Sequence, residues 1–459
     1  MSRKGKLLLA VLLCAGLLGG CGAPAGQENA TPSPGGDEGG YIQMAKSALE
    51  ALRQGDPQIV IDQLEDTVRE QVTAEQLQAA WDQQILSLGA LQSVTEALEQ
   101  AQGDQTVVQL LCQHENGVQY LICAYDSNGK LVAFYFQPAE DLTEKNSWIL
   151  PDGVTEKTVK IGAGTPLEVS GTITLPAGDG PFPAVVLVHG SGSLDQDETI
   201  GANKPFRDLA YGLAARGIGV IRYDKAPYAH PEAFTGTDYT VDDEYTGTVL
   251  AALQTLRENA NVSNVYVLGH SEGGMLTPYL IEQSNGEFAG GIIMAGTPRK
   301  LWEVSLDQNM ALLETMPEEQ RAAYREQLEQ ERARAIALDQ GQYDAQAREN
   351  MTIFGIPAEY LYQLDQIDPA ALAKQVNVPL LILQGESDFQ VSVEKDFEAW
   401  KSAIGAENEI VSYRSYEGLN HLFLESKGDN MGTIAEYNEP GHIPAMVLDD
   451  IMVWIQTLQ

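Results

Sequence analysis

With 459 residues the chain is too long for one ordinary domain, and an apolar fraction of 44% supplies a sizeable buried core. Acidic side chains outnumber basic ones 65 to 28, a formal net charge of −37. Such a surface disfavours nucleic acid and anionic lipid as partners and otherwise serves solubility.

Residues 1–21 read as a targeting segment outside the fold. Arg3, Lys4 and Lys6 precede the apolar run Leu7–Leu18, whose 12 residues fall short of the roughly 20 needed to cross a bilayer as a helix. The following Leu18-Gly19-Gly20-Cys21 resembles a bacterial lipobox. That resemblance implies lipidation of Cys21 and a protein tethered to the extracytoplasmic face of the membrane. The plainer alternative is a cleaved signal peptide with an incidental cysteine. Residues 22–40, rich in Gly, Pro, Ala, Ser and Thr, read as a disordered tether.

Residues 41–138 read as a small α+β unit. Helical periodicity runs through Ala45–Leu52, Ile59–Glu65 and Leu77–Leu86, and strands follow at Leu91–Leu98, Val107–Cys112, Tyr120–Tyr125 and Leu131–Phe136. Asn116-Gly117 predicts a hairpin turn. A two-residue turn there sets Cys112 opposite Leu121 and Cys123 opposite Leu110, a poor disulfide geometry, whereas a four-residue loop over 116–119 would set the cysteines opposite each other; the alternative to a bond is two packed free thiols. His114 sits beside the turn and is expected to be exposed. The unit is similar to the small domain, related to nuclear-transport-factor-like folds, that precedes secreted hydrolases in some bacteria. It carries no catalytic constellation, and a spacer or docking role is expected. Residues 139–153 read as a linker.

From residue 154 strands alternate with helices. Val159–Ile161 and Gly171–Leu175 suggest an opening hairpin, and Ala184–Val188 is the all-apolar strand of a parallel sheet interior. Phe206, Leu209, Ala210 and Leu213 mark a helix face, Val220–Tyr223 the next strand, and Thr240-Val241-Asp242-Asp243 a capping box. Strands are also expected at Val265–Leu268, Gly291–Ala295, Leu380–Leu383 and Ile410–Tyr413, with a last amphipathic helix through Val447, Ile451, Trp454, Ile455 and Leu458. This alternation predicts a mostly parallel sheet covered by helices on both faces. Residues 299–375 interrupt it as a helical, charged insert with no predicted strand, placed where a lid would lie. Trp302, Met310, Met316, Phe354, Tyr360 and Tyr362 either line an acyl pocket or, for most of them, bury the insert's own core.

The chain is organised around Gly269-His270-Ser271-Glu272-Gly273, between an apolar strand and an apolar helix. This is the layout of a nucleophile elbow, in which a sharp turn strains the serine and demands small residues on either side. A serine hydroxyl becomes a nucleophile only with an oriented base. Beyond a late strand, Gln384-Gly385-Glu386-Ser387-Asp388 supplies an acid, and Tyr416-Glu-Gly-Leu-Asn-His421 supplies the base. The expected triad is Ser271, Asp388 and His421, with Glu386 and His442 as the rival acid and base. The expected oxyanion donors are the backbone N–H groups of Ser191 and Glu272. His189 and His270 are read as structural. No histidine cluster or carboxylate ladder has metal spacing, and no cofactor is implied.

Together these motifs, with Asp195-Gln-Asp-Glu198 and Arg222-Tyr-Asp-Lys225, resemble the α/β-hydrolase fold of the dienelactone hydrolase and serine aminopeptidase-like kind over residues 154–459. The resemblance implies serine hydrolysis of small-molecule esters, with an aminopeptidase or peptidase using the same triad as the alternative. A non-catalytic binding lipoprotein is the remaining reading. Glu272 departs from many relatives, which carry a neutral residue there. Asp195, Asp197 and Glu198 are expected to organise their loop through hydrogen bonds.

Overall fold

The computed structural model describes residues 40–459 except 70–71, 103–104, 115–117, 139–147, 235–238, 316–317 and 429. The lipobox with Cys21, the tether up to residue 39, Asn116-Gly117 and Met316 lie outside the described residues. The chain divides into two compact units, the second running over Trp148–Gln459.

In the first unit, helices Gly40–Gln54, Gln58–Gln63, Asp66–Arg69 and Ala74–Leu88 precede strands β1 (Leu91–Gln102), β2 (Gln105–His114), β3 (Val118–Tyr125) and β4 (Leu131–Pro138). The strands form an antiparallel meander in chain order. One sheet face buries Val108, Leu110, Cys112, Leu121, Cys123 and Tyr125 with Ala45, Leu49 and Leu52 of the first helix. Gly40, assigned to the tether by composition, already begins that helix.

Two expectations for this unit are corrected. Cys112 pairs with Gln119 and Cys123 with Val108, so neither predicted register holds. The cysteines share a face but lie four residues apart along it, about 13 Å, far beyond disulfide reach. Both are free and buried, and burial pushes the thiols up to about 11 and about 12 respectively. His114 is buried rather than exposed: its Nδ1 lies 3.0 Å from the Gly89 carbonyl and its Nε2 3.0 Å from the Gln119 amide. The strand runs two residues past the predicted end, which carries the ring under the helix–sheet junction.

The second unit opens with the antiparallel pair β5 (Thr155–Ile161) and β6 (Val169–Leu175), then β7 (Phe182–Val188), β8 (Gly219–Tyr223), β9 (Val262–His270) and β10 (Gly291–Met294). The insert adds helices Leu301–Thr315, Glu318–Asp339, Ala345–Arg348, Ala358–Asp365 and Pro369–Gln375. It also adds a two-residue ladder that the sequence reading did not anticipate, β11 (Thr352–Ile353) with β12 (Ile356–Pro357). Positive φ at Phe354 and Gly355 makes this tight turn. β13 (Leu380–Gly385) and β14 (Val411–Tyr416) complete the sheet, and helix Ala445–Thr457 ends the chain.

The eight strands are ordered β14-β13-β10-β9-β7-β8-β6-β5, parallel from β14 to β8 and antiparallel at the β6–β5 edge. Successive side chains leave a strand on opposite faces. Val186, Val188, Val267, Ile293 and Ile382 therefore enter one core with Leu253, Leu276 and Trp400. Val185, Leu187, Leu268, Ile292 and Leu383 enter the other with Phe206, Leu209, Ile451 and Trp454. Sheet interior residues buried on both faces explain why β7 reads as an unbroken apolar run.

Candidate active site

β7 and β9 are central neighbours, and the order of strand addition reverses between them. Loops leaving their C-terminal ends flank one crevice. The loop after β7 carries Gly190 and Ser191. Ser271 follows β9, while Asp388 and His421 follow β13 and β14.

Ser271 adopts φ 54° and ψ −115°, a conformation that L-residues avoid. Its amide donates to the Met294 carbonyl at 2.9 Å, fixing the turn to the end of β10. The flanking glycines are obligatory. A Cβ on Gly269 would lie 2.0 Å from the Gly273 carbonyl oxygen, and one on Gly273 would lie 2.4 Å from that of Val188. Helix Glu272–Gln283 begins at the next residue, and its first N–H groups have no partner within the helix.

Asp388 is buried and saturated with donors. Oδ1 accepts the amides of Gln390 at 2.8 Å and Val391 at 2.9 Å. Oδ2 accepts the Gln384 side-chain amide at 2.9 Å and meets His421 Nδ1 at 2.8 Å. The rivals lie apart from this pair. Glu386 is exposed and accepts the Ser415 hydroxyl at 2.7 Å. His442 is half-exposed and meets Asp208 at 2.8 Å; that hydrogen bond raises its pKa against partial burial.

Ser191 and Glu272, chosen as oxyanion donors, are brought together, and in a way the sequence did not foretell. The exposed Ser191 hydroxyl donates to Glu272 Oε2 at 2.6 Å. The Glu272 carboxylate is buried, and its other oxygen accepts the Tyr360 hydroxyl at 3.0 Å. Beside it Lys225 donates to the Gly190 carbonyl at 2.7 Å and pairs with Glu244 at 2.6 Å. Burial raises the Glu244 pKa, with Lys225 opposing and Glu272 reinforcing. Burial and the same carboxylates hold Tyr245 and Tyr360 well above the usual phenol range, so both remain donors.

The two other histidines at these strand ends differ from each other. His189 Nε2 meets the Asp195 carbonyl at 2.9 Å, and burial drives its pKa down to about 4, leaving a neutral ring. His270 faces Glu198 Oε2 at 3.1 Å and the His421 carbonyl at 2.9 Å. Burial lowers its pKa most, but the Glu198 carboxylate, the His421 carbonyl and Asp388 together outweigh burial and the net direction is upward. The loop acids act as expected: Asp195 accepts the Thr199 amide and hydroxyl at 2.9 and 2.7 Å, and Asp197 accepts Arg222 Nε at 2.8 Å. Among the described residues no group of three or more His, Cys, Asp or Glu side chains is arranged to hold a metal.

Sequence reasoning missed Glu244 and Tyr245 altogether. They lie in a π-helical turn, Asp242–Thr246, just inside the predicted capping box, whose Thr240–Asp243 bonds are present at 2.8 and 3.1 Å. A wide turn there re-aims side chains that a regular helix would have left on its face. Of the insert's aromatic residues, Trp302, Phe354 and Tyr362 pack within the insert's own cluster, whereas Tyr360 joins the main core.

Residues 180–427 match the family described as serine aminopeptidase, S33. Esterase EstD of Thermotoga maritima is 34% identical over 424 residues, 91% of this chain and 96% of that protein. Among solved structures, Est1E from Butyrivibrio proteoclasticus superposes with a TM-score of 0.43 at 14% identity, over 66% of this chain and 98% of its own. A puromycin-hydrolyzing peptidase from Mycobacterium tuberculosis gives 0.43 at 16% identity, over 80% of this chain and 48% of its own. Such loose superpositions carry no residue correspondence. The family match, over more than half the chain, and the likeness to EstD along almost all of it lead to one conclusion: this chain belongs to the serine aminopeptidase S33 family and is a serine hydrolase.

Proposed function

We propose that the protein hydrolyses carboxylic esters of small molecules with Ser271 as nucleophile, His421 as base and Asp388 as its orienting acid. The observation that carries this reading is the strained Ser271 elbow set among the same strand ends as the 2.8 Å Asp388–His421 contact. With Nδ1 committed to Asp388, His421 Nε2 is the nitrogen that takes the serine proton. It later returns that proton to the leaving alcohol. Ser271 Oγ bonds the acyl carbon, the alcohol departs, and water activated by His421 clears the acyl-enzyme. The Ser191 and Glu272 amides stabilise the oxyanion, each worth on the order of a hundred- to a thousand-fold. The name of EstD favours esters. An aminopeptidase activity is the second reading, favoured by the buried Glu272 carboxylate beside the nucleophile, which suits a cationic substrate group.

In the same proposal, Cys21 carries the lipid anchor and the enzyme works outside the cytoplasm. The first unit is a nuclear-transport-factor-like spacer, and residues 299–375 form the lid. The test uses the full chain in detergent beside Ser271→Ala, on aryl esters of increasing acyl length and on aminoacyl arylamides. Ester turnover lost by about 10⁶-fold in the variant supports the reading. Arylamide turnover without ester preference moves the assignment to peptidase, and ester turnover retained by Ser271→Ala refutes the triad. Mass spectrometry of the membrane-extracted chain tests the anchor by the presence of a diacylglyceryl group on Cys21.

A further inference from the structure

Glu198 is fully buried, holds a positive φ of 52°, and is consumed by two contacts on opposite sides of the crevice. Its Oε1 accepts the Gly190 amide at 2.7 Å, on the turn that ends in Ser191. Its Oε2 lies 3.1 Å from His270 Nδ1. The far nitrogen of that ring lies 2.9 Å from the backbone carbonyl of His421, and the two imidazole rings stand 4.8 Å apart. Both partners of His270, a carboxylate and a carbonyl, are acceptors. Glu198 Oε2 and His270 Nδ1 meet as a close ion pair rather than through an aligned hydrogen bond, and a neutral ring would turn a lone pair toward the carboxylate or the carbonyl. A buried imidazolium and a buried carboxylate are tolerable only as a pair.

We propose that Glu198 and His270 form a positioning pair, which fixes the oxyanion turn through Gly190 and the catalytic histidine's backbone through His421. Neither touches substrate. The pair sets the relative placement of groups borne by three separate loops. A carbonyl held at 2.9 Å stops the loop after β14 from pivoting about the Asp388 contact. Misplacing a reacting group by about 1 Å costs on the order of a hundredfold. The inference rests on the proposed roles of Ser271 and His421.

The experiment compares full-length Glu198→Ala, His270→Ala, the double variant and Glu198→Gln on one aryl ester. Labelling by a fluorophosphonate probe counts folded, competent serine. Glu198→Ala and His270→Ala are each expected to lower kcat by about a hundredfold with KM within threefold. The double variant should be no worse than the poorer single, because the pair acts as one unit. Glu198→Gln keeps an acceptor for Gly190 and an amide facing a neutral His270, which can still donate to His421. It should recover at least about tenfold over Glu198→Ala. Losses that multiply in the double variant, or kcat within about fivefold of wild type in labelled Glu198→Ala, would overturn the proposal. So would Glu198→Gln as poor as Glu198→Ala, since that assigns the effect to charge. Should the alanine variants fail to fold, the Glu198→Gln kcat and KM decide alone: kcat within about tenfold of wild type supports positioning, and a larger loss refutes it. Ester turnover retained by Ser271→Ala refutes the triad instead, so the two failures are told apart.

Discussion

Each unit buries polar side chains, and they are used in opposite ways. In the first unit His114 spends both ring nitrogens on Gly89 and Gln119, and Cys112 and Cys123 sit as neutral thiols in an apolar face. In the second unit buried acids and Lys225 come from distant parts of the chain and surround a serine in a costly backbone conformation that is only half-buried. Buried polarity alone therefore marks no site. Charge that converges from several loops on an accessible, strained nucleophile does.

The contrast is tested first at Asp388. Asp388→Asn preserves shape but removes the acceptor that fixes the His421 tautomer, and kcat should fall about 10⁴-fold with little change in Tm. A fall under tenfold would break the contrast, because the acid would then be an ordinary buried carboxylate. Tyr360→Phe withdraws one donor from Glu272 and should lower kcat about tenfold, since a buried acceptor left short costs about 1–3 kcal/mol. Steady-state kinetics on the same ester measures it, and unchanged kcat would detach the insert from the site.

Asp365 sharpens the contrast within the second unit. It is buried at a helix end in the insert, and burial, then the Asp339 carboxyl, raise its pKa from 3.8 to about 8 against the pull of Lys300. A group that binds its proton more tightly when folded gives its full stability below the unfolded pKa near 4. That stability is lost as pH rises to about 8. Asp365→Asn does not titrate, so its Tm advantage should grow across that window and level off above it. A constant difference between pH 4 and pH 9 would refute the assignment.

The smallest effect is expected in the first unit. Cys112 and Cys123 should resist a thiol reagent at pH 8 in native protein and react fully in guanidinium. His114→Leu should cost about 1–3 kcal/mol by orphaning Gln119 while leaving kcat per labelled serine unchanged. A tenfold loss of kcat would mean that this unit contributes to turnover.

The sheet was legible because its strands carry unbroken apolar runs bounded by glycine, and β7, β9 and β13 were each placed within a few residues of their ends. The elbow was legible because sterics leave glycine as the residue type able to occupy positions 269 and 273. Asp388 and His421 were located by their place beyond strand ends, and the structure joins these two at 2.8 Å while Glu386 and His442 bond Ser415 and Asp208. The hairpin register failed because Asn116-Gly117 is a local signal, and the observed pairing is displaced by two residues, a shift that leaves the same side chains on the buried face and so is not specified by the apolar pattern. Glu244, Tyr245 and the Tyr360–Glu272 bond were hidden because each depends on contacts between residues tens of positions apart. The partners of His270, which was read as structural, were hidden for the same reason: Glu198 and the His421 carbonyl are far away in sequence.

The Tyr360–Glu272 hydrogen bond bears on how such an enzyme can be shortened or recombined. Excising residues 299–375 would remove a donor from a buried carboxylate one residue from Ser271, so the remainder is expected to fall short of a self-sufficient minimal hydrolase. An insert taken from a relative with a neutral residue after its serine would arrive without reason to place a hydroxyl there. Residue 272 and the helix bearing Tyr360 must be exchanged together, and a library that shuffles them independently should be depleted of active clones.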